Sequence, residues 1–407
     1  MISAILNFIR QFDKNLWILS FGWFVSAIGF SISIPFIAIY FHTNLDMSLS
    51  EIGIFFGSLA IIRSAFQLLG GEVSDRMERR QLLIWSQFFR SIIFIFLAAS
   101  IYNDWGIIPI AFSLIIASIF GAIFQPVANA MVSDILPKDK RLDGYAITRS
   151  AGNFGWAVGP ALGGFLATNS YGDLFIASAI ITFLSCLIFW LMLHSPKIET
   201  IQEKFTLKDL IAIKDDSNLA IHCSLIFILY LVVAQLIATF SVYAVDIVGI
   251  SQTELGYLYS INGLMVVTLQ IPITRLGGKM ALTSKLAIGG LIYAIGYGLV
   301  GVFSGFNYFV MAIVVVTIGE MIMSPASLFL TSKLAPPGRI GRYMGIYGFF
   351  VASGWSFGPL YGGIILDHLG NTPTIAWLLI SSLALVSMTG YMMFKRKLPK
   401  EINYDNH

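Results

Sequence analysis

"GWAVGPALGG", residues 155–164, and "GWSFGPLYGG", residues 354–363, are two copies of one segment. A constant offset of 199 pairs Gly155 with Gly354, Trp156 with Trp355, Gly159 with Gly358, Pro160 with Pro359, Gly163 with Gly362 and Gly164 with Gly363. The same offset relates Pro126 to Pro325 and Pro137 to Pro336. So many ungapped matches mark an internal duplication whose period is about half of the 407 residues.

Working outward, the segments around both copies are apolar. The chain is 57% hydrophobic and 12% charged, with a mean hydropathy of +0.81. Soluble domains carry about 25% charged residues. Apolar runs long enough to cross a bilayer as helices recur from end to end. They fall near 17–40, 50–71, 81–101, 107–135, 143–167, 173–194, 219–248, 253–275, 282–303, 307–334, 342–366 and 373–394. The expected fold is an all-α membrane protein of about twelve transmembrane helices. Spans five and eleven hold the two copies, so each repeat has six spans. An even number preserves orientation, so the repeats are parallel. The expected division is residues 1–194, a linker at 195–218, and 219–407.

The connections alternate in character. "FHTNLDMSLS", "YNDW", "TNSYGD", "DIVGISQTE", "FSGFN" and "DHLGNTP" contain no Lys or Arg. Apart from Arg63, Arg90 and Arg149, every Lys and Arg lies in the other connections or at the termini. Basic residues beside spans stay cytoplasmic, so both termini are expected in the cytoplasm of a plasma (inner) membrane protein. The linker contains Thr206 and Asp209 in a capping-box-like start and is expected to be partly helical. Ile2, Ile5, Leu6, Ile9 and Phe12 share a helical face that suits the membrane surface. The first span is too long for a signal-peptide core and has no cleavage pattern.

Composition and motifs also exclude function classes. Cys186 and Cys223 lie within apolar runs and form no disulfide framework. The net charge of +3 sits at membrane edges, which is no nucleic-acid signature. "GGKMALTS" is no phosphate loop, since Ile273 stands where its first Gly belongs and Met280 follows Lys279. The chain has no His-Glu-x-x-His or Gly-x-Ser-x-Gly motif, so no enzyme and no cofactor or metal are expected. The spans hold isolated polar residues rather than the continuous polar path of a channel.

Gly155, Gly159 and Gly163 repeat every four residues and lie on one helix face, as do Gly354, Gly358 and Gly362. Such faces let another backbone approach, and Pro160 and Pro359 bend their spans. Helix packing and gating of a cavity are both open readings. The loop "GGEVSDRMERRQLL", residues 70–83, is densely ionic by contrast. Asp75 ends span two, where a carboxylate opposes the helix dipole and seeks cations. Arg79 is four residues on, and Asp134 ends span four on the same side. A latch between neighbouring helices is expected from Gly71, Asp75, Arg76, Arg79, Arg80 and Asp134.

"GEVSDRMERR", Gly71 to Arg80, resembles the loop 2–3 signature of the major facilitator superfamily, Gly-x-Leu-Ala-Asp-Arg-x-Gly-Arg-Arg. "GWAVGPALGG" resembles the span-five signature of its drug/proton antiporter branch. Glu78 replaces a usual Gly, Ala146 stands where the antiporter signature begins with Gly, and span four lacks an Arg-x-x-Gln-Gly pattern. The resemblance implies the major facilitator fold and secondary transport by alternating access.

Ionisable groups within spans cost about 2.5–3.5 kcal/mol each at a helix centre and mark functional sites. Glu320 is the one acid near a span centre and is the proton-coupling candidate. Arg63, Arg90, Arg149, Asn153, Trp156, Gln235, Asn262 and Trp355 are cavity or substrate candidates, with Gln270 beside them. His222, near the start of span seven, is expected to be a surface partner. The leading expectation is proton-coupled export of a small organic or drug-like compound by a monomer in the lipid bilayer. The alternatives are a carrier for a defined metabolite, an anion among the options, and a non-transporting sensor of the same fold.

Overall fold

A computed structural model describes residues 11–137, 140–194, 216–276, 280–336 and 340–404, with the side chains of 68–76, 141–142, 275–276 and 340–342 outside that set. The expected surface helix before residue 11 and the expected helical linker therefore lie outside the described residues.

Twelve long helices follow in order: α1 (Lys14–Thr43), α2 (Leu49–Arg76), α3 (Arg79–Tyr102), α4 (Ile107–Ile135), α5 (Arg141–Ala167) and α6 (Tyr171–Met192), then α7 (Ser217–Ile247), α8 (Gln252–Leu276), α9 (Leu282–Val302), α10 (Phe306–Leu334), α11 (Ile340–Leu369) and α12 (Pro373–Lys397). Among the described residues, eleven helices are long and apolar enough to cross a membrane. The twelfth, α5, includes Arg149, Ser150 and Asn153, which lower its hydropathy.

The helix neighbours repeat. In the first repeat α3 packs on α6, α1 on α5, α3 on α4 and α1 on α6. In the second, α9 packs on α12, α7 on α11, α9 on α10 and α7 on α12. Prolines sit inside equivalent helices, Pro126 in α4 with Pro325 in α10, and Pro160 in α5 with Pro359 in α11. Compact units form around Met1–Ile37, Ile62–Gln202 and Ser251–Gly263 on one hand, and Ala38–Ile61, Glu203–Ile250 and Leu264–His407 on the other. The start of α2 thus goes with the second repeat, and the start of α8 with the first.

Two helices are broken. α1 turns at Ile32 and Ser33. Pro35 has no N–H to give Ser31, so the ladder fails there. α7 tightens to a 3-10 turn at Ala234–Leu236 and widens to a π turn at Tyr243–Ile247. No Pro or Gly announces that break. Gln235 Nε2 instead donates to Leu231 O at 2.6 Å and to Gly358 O at 2.7 Å, drawing a side chain into the helix ladder.

In the first unit the core near the basic loops joins Leu16, Leu19, Leu83, Phe124, Met131 and Phe189 from α1, α3, α4 and α6. His222 corrects the surface reading made from the sequence, because it is fully buried. Its Nε2 faces Ser327 O at 3.2 Å and Thr331 Oγ1 at 3.1 Å, and its Nδ1 faces the Tyr391 hydroxyl at 3.0 Å. A polar ring that deep is held because every nitrogen has a partner.

Candidate functional site

The glycine motif divides its labour. A Cβ on Gly155 would stand 2.6 Å from Ala27 Cβ and 2.7 Å from Phe24 O, and one on Gly159 would meet Ser31 Oγ and Ile32 N. Gly163 would meet Ile32 O. All three press α5 onto α1. Their counterparts press α11 onto α7: Gly354 on Tyr230, Gly358 on Ala234 and Gly362 on Gln235. The face spaced by four therefore packs each repeat internally.

The remaining motif positions turn to the other repeat. Gly164 abuts Gln252 O and Thr253 at the start of α8, and Gly363 abuts Leu49 and Ser50 at the start of α2. Reciprocally, a Cβ on Gly256 would run into Pro160 O and Ala161, and one on Gly53 into Leu360 N at 2.7 Å and Pro359 O at 2.8 Å. Further along, Gly57 touches Ser356 O and Gly263 touches Ala157. So α2 meets α11, and α8 meets α5, backbone to backbone near the loops that carry no Lys or Arg.

The starts of α2 and α8 are built alike. Glu51 Oε2 accepts from Ser48 N at 2.8 Å while Ser48 Oγ accepts from Glu51 N at 3.2 Å. Ser251 and Glu254 repeat this capping box at 2.7 and 3.1 Å. Only α2 gains a further acid. Asp367 of α11 accepts from Leu49 N at 3.1 Å and Ser50 N at 2.8 Å, and also bonds Ser50 Oγ. A carboxylate on those orphan N–H groups also meets the positive end of the helix dipole. At the offset of 199 Thr168 replaces it, and its hydroxyl donates to Phe165 O. On the same side His42 Nε2 lies 3.2 Å from Asp246, joining the ends of α1 and α7.

The ionic loop acts within one repeat. Arg79 is buried and pairs with Asp134 of α4, and also donates to Ala130 O at 3.3 Å. Arg80 donates Nε to Leu193 O and Nη2 to Trp190 O, both at 2.6 Å, and so satisfies carbonyls at the end of α6. The side chains of Gly71, Asp75 and Arg76 lie outside the described residues. What is described of the expected latch ties α3 to α4 and α6.

Three of the sequence candidates converge in the first unit on a residue that sequence reasoning missed, Phe30 of α1. The Arg63 guanidinium lies 5.4 Å from the Phe30 centroid and that of Arg90 lies 4.6 Å from it. Trp156 meets the same ring edge-on at 5.8 Å. Asn153, half-buried, precedes Trp156 by one turn of α5. A separate groove of about 640 Å³ between α1 and α5 is lined by Trp17, Phe21, Phe24, Asp143 and Phe154 and does not include Phe30, Arg63 or Arg90. Arg149 is exposed on α5 instead.

In the second unit Gln235 is a tie between α7 and α11. Gln270 is another, donating to Met321 O at 2.9 Å. Trp355 lies 6.2 Å from the Tyr230 ring, whereas Asn262, half-buried on α8, belongs to the first unit. Glu320 is half-buried at the middle of α10. Among the described residues no cluster of His, Cys, Asp or Glu is arranged for a metal ion.

A family model described as Major Facilitator Superfamily matches residues 19–359 and again 223–404. YttB, an uncharacterized MFS-type transporter of Bacillus subtilis strain 168, is 29% identical over 405 residues, 96% of this chain and 98% of its own. Multidrug resistance protein MdtH of Aeromonas hydrophila is 24% identical, with 91% of this chain and 93% of its own covered. Among solved structures, a POT family transporter in complex with 5-aminolevulinic acid shares the fold at a TM-score of 0.78, with 14% identity, 95% of this chain and 97% of that one. A bacterial homologue of the human lysosomal transporter Spinster shares it at 0.76, with 14% identity and coverage of 97% and 98%.

Proposed function

The chain belongs to the major facilitator superfamily, and we propose on that premise that it is a secondary active transporter exporting a small organic compound in exchange for protons. The observation that supports the alternating-access part of this reading is the mirrored crossing of α2 onto α11 and of α8 onto α5. These contacts lie near the loops without Lys or Arg. In an alternating-access carrier, crossings at this end would serve as the outer gate. The basic loops and both termini face the cytoplasm of the inner membrane by the positive-inside rule. Kinship with proteins named for multidrug resistance favours export of organic compounds. The transporter works as a monomer, and its partners are the bilayer, the cargo and the proton.

Asp367 sets the balance of that gate. Asp367→Ala leaves two helix-start N–H groups without their carboxylate, which costs about 1 kcal/mol. A shift of that size changes a two-state population about fivefold. Labelling of a cysteine placed at Ala161 by a membrane-impermeant maleimide should rise accordingly, and an unchanged rate removes Asp367 from the gate.

Glu320 is the proton carrier in this reading, since an acid held at mid-helix exchanges its proton as water access alternates. The test is dye efflux from proteoliposomes under an imposed pH gradient. Native protein should respond to the gradient, and Glu320→Gln should lose that response by at least about tenfold, as expected for removal of a single essential acid–base group. Equal gradient-driven flux in both makes Glu320 structural, and no response in the native protein ends the antiport reading.

A further inference from the structure

Arg63 and Arg90 are two cations on one aromatic ring, and both are deep. Arg63 lies 13 residues before the end of α2 at Arg76, and Arg90 lies 11 residues after the start of α3 at Arg79. Those lengths put both about 16–20 Å from the basic ends of their helices. That is near the middle of a hydrocarbon layer about 30 Å thick.

Buried charges are normally paired. Among the described residues, no carboxylate forms an ion pair with either arginine. Arg90 is 4% exposed, and its buried Nε has no hydrogen-bond partner. Among the described residues their ring contacts are Phe30 for both and Phe94 at 5.4 Å for Arg90. Gly121 of α4 packs beside the head group, a Cβ there standing 3.4 Å from Arg90 Cζ. Ring quadrupoles attract each cation but relieve neither the repulsion between them nor the missing acceptors. An oxyanion between the two forks would do both, because guanidinium groups bind carboxylates and phosphates through paired N–H donors. Phe30, Phe94 and Trp156 would then cover an apolar body.

We propose that Arg63 and Arg90 form an anion-recognition site in the first repeat, and that the cargo is an amphipathic organic anion with a carboxylate or phosphate head. The assignment deepens the transport reading and rests on it for the bound anion being cargo. The competing account, that both arginines are structural pins held by aromatic stacking, makes opposite predictions.

The experiment uses the full chain in lipid nanodiscs and follows thermal unfolding. The probes are benzoate, phenyl phosphate, benzyl alcohol and benzylammonium at matched ionic strength. Benzoate or phenyl phosphate should raise the midpoint, and the stronger of the two identifies the head group. The neutral and cationic probes should not. Arg63→Gln and Arg90→Gln should each weaken the anion's apparent affinity at least about tenfold, as loss of a charge-assisted fork implies. Lys397→Gln, exposed at the end of α12, should not change it. Without any probe, Arg90→Gln should unfold at the native temperature or above it, because it removes an uncompensated buried charge. The proposal is overturned if no anion stabilises, if benzylammonium or benzyl alcohol does as well, or if the response survives in Arg63→Gln/Arg90→Gln. It is also overturned if Arg90→Gln unfolds early without probe and Arg90→Lys restores it. Arginine-dependent binding without flux in proteoliposomes removes the transport reading and leaves the site. Gradient-driven flux that is indifferent to both substitutions does the reverse.

Discussion

Gly53→Val should abolish transport while leaving the protein folded. The added side chain would enter the backbone of α11, with its Cβ 2.7 Å from Leu360 N and 2.8 Å from Pro359 O. Overpacking of a core against side chains costs about 1–3 kcal/mol. Here the obstacle is main chain inside a helix and cannot turn away, so the upper end applies. A penalty of about 3 kcal/mol on one state moves a two-state equilibrium by more than a hundredfold. The crossing joins α2 of the first repeat to α11 of the second, so the expected cost falls on the conformational balance and the fold of each repeat is kept. Gly256→Val should do the same against Pro160 and Ala161, because the two crossings mirror each other. Gly159→Val is the contrasting case. Its Cβ would strike Ser31 and Ile32 inside the first repeat. That contact is needed in every state, so the expected result is loss of folded protein. Flux in proteoliposomes and yield of monodisperse protein separate the two results. Near-native flux in Gly53→Val would show that the crossing is incidental.

The duplication was legible because the motif in α5 and α11 keeps an offset of 199. What the motif does was not legible, since packing and gating draw on the same small residues. Only the neighbours decide it, and they assign Gly155, Gly159 and Gly163 to α1 but Gly164 to α8. A second repeat was present and passed over: "SLSEIG" at 48–53 and "SQTELG" at 251–256 share a capping box followed by the crossing glycine, at an offset of 203. The insertion of four residues between the two offsets hid it. The role of Asp367 could not be read, because its bonds reach residues over 300 positions away. Phe30 left no trace in the spacing of charges, since a ring that receives cations looks like any other aromatic residue in an apolar span. The break in α7 was equally silent, for it depends on a Gln side chain meeting a carbonyl of α11. The pairing of Arg79 with Asp134 was expected from the chain ends they occupy. Its consequence was not, because a latch between moving parts and a pin within one part have the same sequence.

Arg79→Ala should separate those two. Arg79 is 3% exposed and Asp134 is 9% exposed in their side chains, and they form an ion pair at the junction of α3 and α4. Removing one member of a buried pair leaves the other charge without compensation, at a cost of about 3–5 kcal/mol. The loss includes the bond to Ala130 O, which helps to hold α4 near its end. Because both residues belong to one repeat, the cost falls on folding of that repeat rather than on one conformational state. Thermal unfolding should show it directly, with little dependence on salt, since buried pairs are weakly screened. The double replacement Arg79→Ala/Asp134→Ala should recover much of the loss, because neither charge then remains buried alone. A double-mutant cycle gives the coupling between them. If instead Arg79→Ala unfolds like the native protein but transports poorly, the pair acts on the conformational cycle. The ionic loop would then be a latch whose moving partner lies beyond Asp134.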